Sequence, residues 1–474
     1  MEPAQLTGVT MKRIGRLLLL LLVISFLPPQ HTATADSYTV EPIPLLKADY
    51  ITGDLSRDLE QARNLISWQM DHGGWWKYND DRYFRRWDGQ EPRSDKRLSD
   101  GTEIGTIDND ATVNEILFLA LMYRESGEED IKQAALKGID FLLNMQYETG
   151  GWPQVYPKNY TYADHVTFND GAMIRVMNLL KLVHEEKYPF DSDLVSPQKR
   201  QQVEQALELG LDYILKSQII VRDMPTAWGQ QHDPFTYEPV QGRAFEHPAI
   251  SAGESADIVE YLLAIPNPSE EVKKAIVAAI RWYDQVKLVG YRYDKHDPNR
   301  HYFQYDGESL TWYRLYEIGT NHPIFSDHTG IIVHNVDQLK DGNGGYSWAG
   351  NWGNRLLPYM ETLEYFEEIS YQLDVERVQR ERARKAQEKE AEQAQAAQEV
   401  AEDARGQQEE APQEALAASI DVAEPLASEP QTSQVSLTVL FIVTLLFSSV
   451  SFVLGRQVGK GARVRQAEVS KRDG

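Results

Sequence analysis

The chain has no cysteine in 474 residues, which excludes disulfides, thiol nucleophiles and thiolate-bound metal. Any metal has to sit on oxygen or imidazole. Basic residues are in deficit: 48 Lys and Arg face 72 Asp and Glu, a formal charge of −24. That balance argues against nucleic acid, whose binding draws on a basic surface, and taken over the whole chain it also opposes a polyanionic substrate. Part of the acidity is local, since residues 399–430 carry nine acidic residues and one base, Arg405. Long apolar runs are scarce, with one at each end of the chain. Strand signals are weak and short.

The first apolar run, 17–27, follows Lys12, Arg13 and Arg16 and precedes Ala33-Thr34-Ala35. Eleven residues are too few to span a bilayer, so 1–35 reads as a secretory signal peptide. The second run, 435–454, has twenty residues and no charge, enough to cross as a helix. Six basic residues follow it in 455–474, which places that tail in the cytoplasm and the bulk of the chain on the periplasmic face of the inner membrane. Between the ends we expect a catalytic region at 36–373 and a charged, solvent-exposed helix at 374–405. An acidic tether follows at 406–434.

Within 36–373 a helical segment repeatedly ends in Gln and runs into a Gly/Trp turn. Gln69 precedes Trp75, Gln146 precedes Trp152, and Gln218 precedes Trp228. A spacing of just over seventy residues holds two helices and a turn, and such hairpins bury their apolar faces only against neighbours. Apolar periodicity predicts helices at 55–70, 110–126, 131–144, 171–185, 197–216, 255–263 and 268–286. The expected fold is an all-α, incomplete α/α toroid with irregular loops and few short strands. A solenoid of the same helices is the alternative.

Chemistry-bearing residues gather in 226–255, where Trp228, Gln230, Gln231, His232, Asp233, Arg243, Glu246, His247, Glu254 and Ser255 crowd together without apolar period. Loops of that composition bind or react with something polar, although the same residues also serve to fix a loop. Two further turns, Thr106-Ile-Asp-Asn-Asp-Ala-Thr112 and Thr167-Phe-Asn-Asp-Gly-Ala-Met173, put carboxylate and amide oxygens just before helices. Such oxygens are the hard ligands Ca2+ prefers, and equally the residues that cap helices. The turn tryptophans offer apolar faces for stacking on sugars or pins for the core.

The motifs DNDAT, GGWPQ, FNDGAM, WGQQHD, GRAFE, SAGES and TWYRLYEIG, in this order across roughly 54–330, resemble the pectate lyases of polysaccharide lyase family 10. The resemblance implies an α/α-toroid-like fold, cleavage of polygalacturonate by β-elimination and a Ca2+ requirement. Residue by residue, it makes Asp108 and Asp170 the acidic residues of the metal and substrate site, and Arg243 the candidate base. Arg314 becomes an arginine for a substrate carboxylate. Gln231, His232 and Trp228 are expected at the substrate. His328 of FSDHTG stands where the family pattern has an arginine, so one carboxylate contact departs from it. The charges suit the chemistry, because removing a proton α to a carboxylate requires that carboxylate to be neutralised. An arginine base is unusual, since its pKa exceeds about 12. The other readings are a uronide-acting glycoside hydrolase with Asp108 and Asp170 as acid and base, and an inactive membrane-tethered polysaccharide-binding protein. A monomer is expected.

Overall fold

The computed structural model describes residues 38, 40–43, 45–77, 81–340 and 346–409; the leader, the acidic tether from 410 onward and the 435–454 segment lie outside them. The chain divides into two units, Met1–Ala391 and Glu392–Gly474.

The first unit is built from α1 (Leu55–Ser67), α2 (Val113–Ser126), α3 (Glu129–Met145), α4 (Ala172–His184), α5 (Pro197–Ser217), α6 (Ala252–Leu263) and α7 (Glu270–Val286). All seven lie where the apolar period puts them. They pack as two rows: α2, α4 and α6 adjoin one another inside, and α1, α3, α5 and α7 adjoin one another outside. Sequence accounts for the division. α2 is buried continuously from Val113 to Tyr123, whereas α5 buries chiefly Val203, Ala206, Gly210, Tyr213, Ile214 and Ser217 along one stripe. This helix-rich packing is consistent with the toroid-like architecture expected.

The Gln/Trp repeat is the fastening between hairpins. Gln69 Nε2 donates to Gly73 O in its own turn and to Ala134 O on α3, at 2.8 and 2.9 Å. Gln146 repeats this toward Gly150 and Ala206 on α5, and Gln218 toward Thr226 and Ala275 on α7. The indoles of Trp75, Trp152 and Trp228 are fully buried and donate to Leu65 O, Leu142 O and Ile214 O on the outer helices. Gly73 and Gly150 adopt φ of +101° and +102°, and a Cβ there would meet Lys137 O at 2.2 Å or Leu209 O at 2.0 Å, so only glycine lets the next outer helix approach. Trp312, donating to Tyr283 O on α7, closes the series.

Each turn then hands the chain to a short ribbon. Thr106 N donates to Trp75 O, Thr167 N to Trp152 O and Ser251 N to Trp228 O. These residues belong to β1 (Gly105–Thr106), β3 (Val166–Thr167) and β7 (Ile250–Ser251), which pair antiparallel with β2 (Val155–Tyr156), β6 (Gln231–His232) and β10 (Leu315–Tyr316). β10 also pairs with β11 (Pro323–Ile324), and the hairpin β4 (Ile220–Val221) and β5 (Met224–Pro225) precedes the third of these turns. All three inner helices therefore begin beside a ribbon on the turn side.

The strands are few, as expected, and all but two of those described are two residues long. β8 (Leu288–Tyr293) and β9 (Phe303–Tyr313) form a hairpin, with β12 (Ala349–Gly350) on the other edge of β9. Cross-strand ring pairs hold it, Tyr291 opposite Tyr305 and Tyr293 opposite Phe303, with centroids 5.3 and 5.2 Å apart. Asp306-Gly307-Glu308 and a bulge at Gly290 break the alternation that would announce these strands.

After the one-turn α8 (Tyr359–Thr362), α9 runs from Phe366 to Glu409. It begins earlier than the charged segment predicted at 374–405, because Phe366, Ile369 and Leu373 are buried in the first unit. Lys274 on α7 pairs with Glu376 at 2.6 Å and Arg281 with Asp374 at 3.0 Å. In the second unit the described residues, 392–409, are helical. Among the described residues no helix is long and apolar enough to cross a membrane.

Candidate active site

The two acidic turns share a backbone through their fifth residue and then part, since Thr112 is at φ 66° where Met173 is already helical. Counting from the threonine bonded to the turn tryptophan, the fourth and fifth residues are left-handed in both: Asn109 and Asp110 at φ 50° and 69°, Asp170 and Gly171 at 52° and 72°. Neither turn caps its helix, as α2 and α4 have no side-chain capping bond. The carboxylates are thus free of the structural role that makes such residues ambiguous in sequence, and they turn to a cleft.

That cleft, about 570 Å³, is lined by Asp108 and Asp170 together with Lys77, Lys96, Arg97, Gln154, Tyr162, Gln231, Arg243 and Glu246. A second groove of about 580 Å³ shares Asn109 and Asp170 with it and holds Lys47, Asp110, Arg175, Arg314 and Trp352. In the first cleft four cations, Lys77, Lys96, Arg97 and Arg243, meet three carboxylates, Asp108, Asp170 and Glu246, a local surplus of one positive charge in a protein of −24. The global balance that argued against a polyanion does not describe this surface.

Asp108 is 5% exposed and pairs with Lys77. It stands in the cleft wall, ahead of the left-handed pair. Asp170 is half-exposed and receives Asn169 Nδ2 at 3.0 Å. Its carboxyl is pushed above the usual range by burial and by the like charge of Glu254, with Arg314, 3.9 Å away, working against both.

Arg314 is caged. It is 11% exposed, pairs with Glu254, and lies with its guanidinium carbon 4.5 Å from the Tyr346 ring. Gln230 completes the cage, donating to Tyr346 Oη at 2.8 Å, Asn169 Oδ1 at 3.1 Å and Glu254 Oε1 at 3.2 Å. Arg243 is more open, 41% exposed, and pairs with the buried Glu246, whose other oxygen accepts Arg243 N at 2.9 Å. Burial disfavours the Arg243 charge, but the bond and charge of Glu246 outweigh it and raise its pKa further.

Two residues expected at the substrate lie elsewhere. Trp228 is fully buried as a repeat pin and offers no face to a sugar. His232 is also fully buried: Nε2 accepts Gly229 N at 2.9 Å and Nδ1 faces Tyr237 O at 2.7 Å. Burial lowers its pKa to about 4, so it is a neutral loop anchor. Gln231 does line the cleft, with a buried Oε1 that has no hydrogen-bond partner among the described residues. His328 is exposed and outside the lining of both grooves, edge-on to Phe245 at 5.3 Å. Phe245 in turn carries the Arg243 guanidinium 4.8 Å from its ring centre.

Sequence reasoning missed Lys77, Lys96, Arg97, Gln154 and Arg175. The repeat carried a signal for two of them, because Lys77 and Gln154 each stand two residues after a turn tryptophan, at the offset that Gln230 occupies in the third turn.

A helical toroid-like frame with a cationic cleft between two acidic turns suits a polysaccharide lyase, and comparison with known proteins makes it one. The profile of the pectic acid lyase family matches residues 69–357. The chain belongs to that family. The solved family 10 polysaccharide lyase from Cellvibrio cellulosa is 32% identical, with a TM-score of 0.60 over 70% of this chain and 100% of that one. A mutant of family 10 polysaccharide lyase from Cellvibrio cellulosa in complex with trigalacturonic acid is 33% identical, with a TM-score of 0.58 over 65% of this chain and 93% of that one. No curated protein matches.

Proposed function

We propose that the protein is a Ca2+-dependent pectate lyase that cleaves polygalacturonate by β-elimination in the cleft between the two acidic turns. The observation that carries this is the meeting of Asp108 and Asp170, neither used as a helix cap, with Lys77, Arg243 and Arg314 around one junction. A uronate carboxylate in that junction is neutralised by fixed cations, which lowers the cost of charge developing at its α carbon. The solved complex with trigalacturonic acid supports a galacturonate substrate.

Asp108 and Asp170 would hold the Ca2+, and their oxygens suit it. Among the described residues no three carboxylates or histidines converge, so the substrate carboxylate and water would complete the shell. When bound, Ca2+ supplies further charge neutralisation at the substrate carboxylate. Lys77, which pairs with Asp108 here, would share that carboxylate with the ion.

Arg243 is the candidate to take the C5 proton, supported by its open position on the cleft. The Glu246 pair, which reinforces its charge, favours a second reading in which Arg243 only clamps a carboxylate. Arg243→Lys separates the two. As base, arginine cannot be replaced without misplacement, and kcat falls by about a hundredfold or more at near-constant KM. A kcat near normal with a lowered Tm would leave only the clamp. From the sequence the reading extends to an exported enzyme on the periplasmic face of the inner membrane, tethered through 435–454; release of the intact domain by protease added to spheroplasts would support that placement.

A further inference from the structure

The second groove contains a strained acidic residue that the reaction described above does not use. Asp110 holds φ +69°, a conformation L side chains rarely adopt, at the place where the second turn has Gly171 at φ +72°. The backbone cost that glycine avoids is retained here for a side chain. That side chain pairs with Arg175 from α4 and lies 3.9 Å from Lys47 Nζ, which also reaches Asn109 O at 3.4 Å. Gly171 is part of the same arrangement, because a Cβ there would come within 3.3 Å of Arg175 Nε and 3.2 Å of Asp257 Oδ2. Arg175 remains 38% exposed and Lys47 48% exposed, so both keep donors for a ligand. Across the groove the Trp352 indole lies over Gly253, within 6 Å of the Arg314 guanidinium.

We infer that this groove is a second arm of the substrate trench. In it Asp110 is a positioning residue that aims Arg175 and Lys47 at the carboxylate of a uronate unit beyond Asp170, and Trp352 supplies an apolar face for its ring. The inference deepens the proposed function and takes its substrate class from it. Glu254 and Asp257 also line the groove but are paired with Arg314 and Arg355, so the two cations held at Asp110 are left to recognise an anionic sugar chain and discriminate against a neutral one. The arm is joined to the first cleft through Asn109 and Asp170, so longer chains reach it by passing the reaction site.

The test compares tri- and hexagalacturonate on the full-length protein, reading kcat/KM from unsaturated product and Kd by calorimetry. The wild type is expected to prefer the hexamer. Arg175→Gln should lower the hexamer-to-trimer ratio by about tenfold, the loss of one charge-assisted contact. Asp110→Gly should lower the ratio similarly while keeping or raising Tm, since glycine relieves the backbone. A lowered Tm with the ratio unchanged in both variants would mean that Asp110 and Arg175 merely staple α2 to α4, and would overturn the inference. Failure of the wild type to release unsaturated product would instead overturn the proposed function, and the Kd ratio would still decide the role of the arm.

Discussion

The two acidic turns share their left-handed pair and differ by one step in where the carboxylate falls. In the first, Asp108 precedes the left-handed pair, lies in the wall and is held by Lys77. In the second, Asn169 occupies that wall position and Asp170 stands on the left-handed residue itself, half-exposed at the junction of both grooves. A repeat thus supplies one frame twice, and a one-residue offset turns a buried carboxylate into an accessible one. Asp110 extends the pattern to the second groove.

Breaking the turns separately should have unequal consequences. Asp170→Asn preserves shape and removes the charge at the junction, and kcat/KM on polygalacturonate should fall by about 10²–10³, the range for losing one preorganised electrostatic contact, with Tm nearly unchanged. Asp108→Asn should cost less activity, about tenfold to a hundredfold. It should also lower stability by about 1–2 kcal/mol, because Lys77 loses its charged partner in a nearly buried wall. Equal losses of activity with no stability difference would erase the distinction drawn between wall and groove.

The supports of the two turns also titrate in opposite directions. Glu115, on the inner helix that follows the first turn, is pushed up to about 7 by burial. His232, on the strand paired with the start of the second turn, is pushed down to about 4. Between pH 4.5 and 6.5 the folded chain keeps a proton on Glu115 that the unfolded chain loses, so this group costs stability as pH rises. Over the same window the unfolded chain protonates His232 and the folded chain does not, so this group adds stability as pH rises. Their contributions oppose, each up to about 1.4 kcal/mol per pH unit. Glu115→Gln removes the opposing carboxyl, so in denaturant melts stability should rise more steeply between pH 4.5 and 6.5 than in the wild type, by up to about 1.4 kcal/mol per pH unit. The same slope in variant and wild type would contradict the titration given to Glu115.

The inner and outer helices were legible because an apolar stripe of period 3.6 survives in a single sequence, and the Gln and Trp of each turn stood out through repetition. The β8–β9 hairpin was not, since its ring pairs form only once the strands meet. Within the site, Asp108, Asp170, Arg243 and Arg314 were read from motifs and do converge on the two grooves. Trp228 and His232 were misread because a polar, aromatic stretch looks the same whether its side chains face a ligand or bond the backbone beneath one. Lys96 and Arg97 sit in an irregular segment with no period to mark them, so only the folded chain brings them to the cleft.

The central claim is elimination at this cleft, and the near-ultraviolet absorbance of the product tests it most directly. The protein should convert polygalacturonate to absorbing, unsaturated fragments when Ca2+ is present and stop when a chelator is added. New reducing ends without absorbance would identify a hydrolase, and undiminished absorbance in excess chelator would contradict the role given to Asp108 and Asp170.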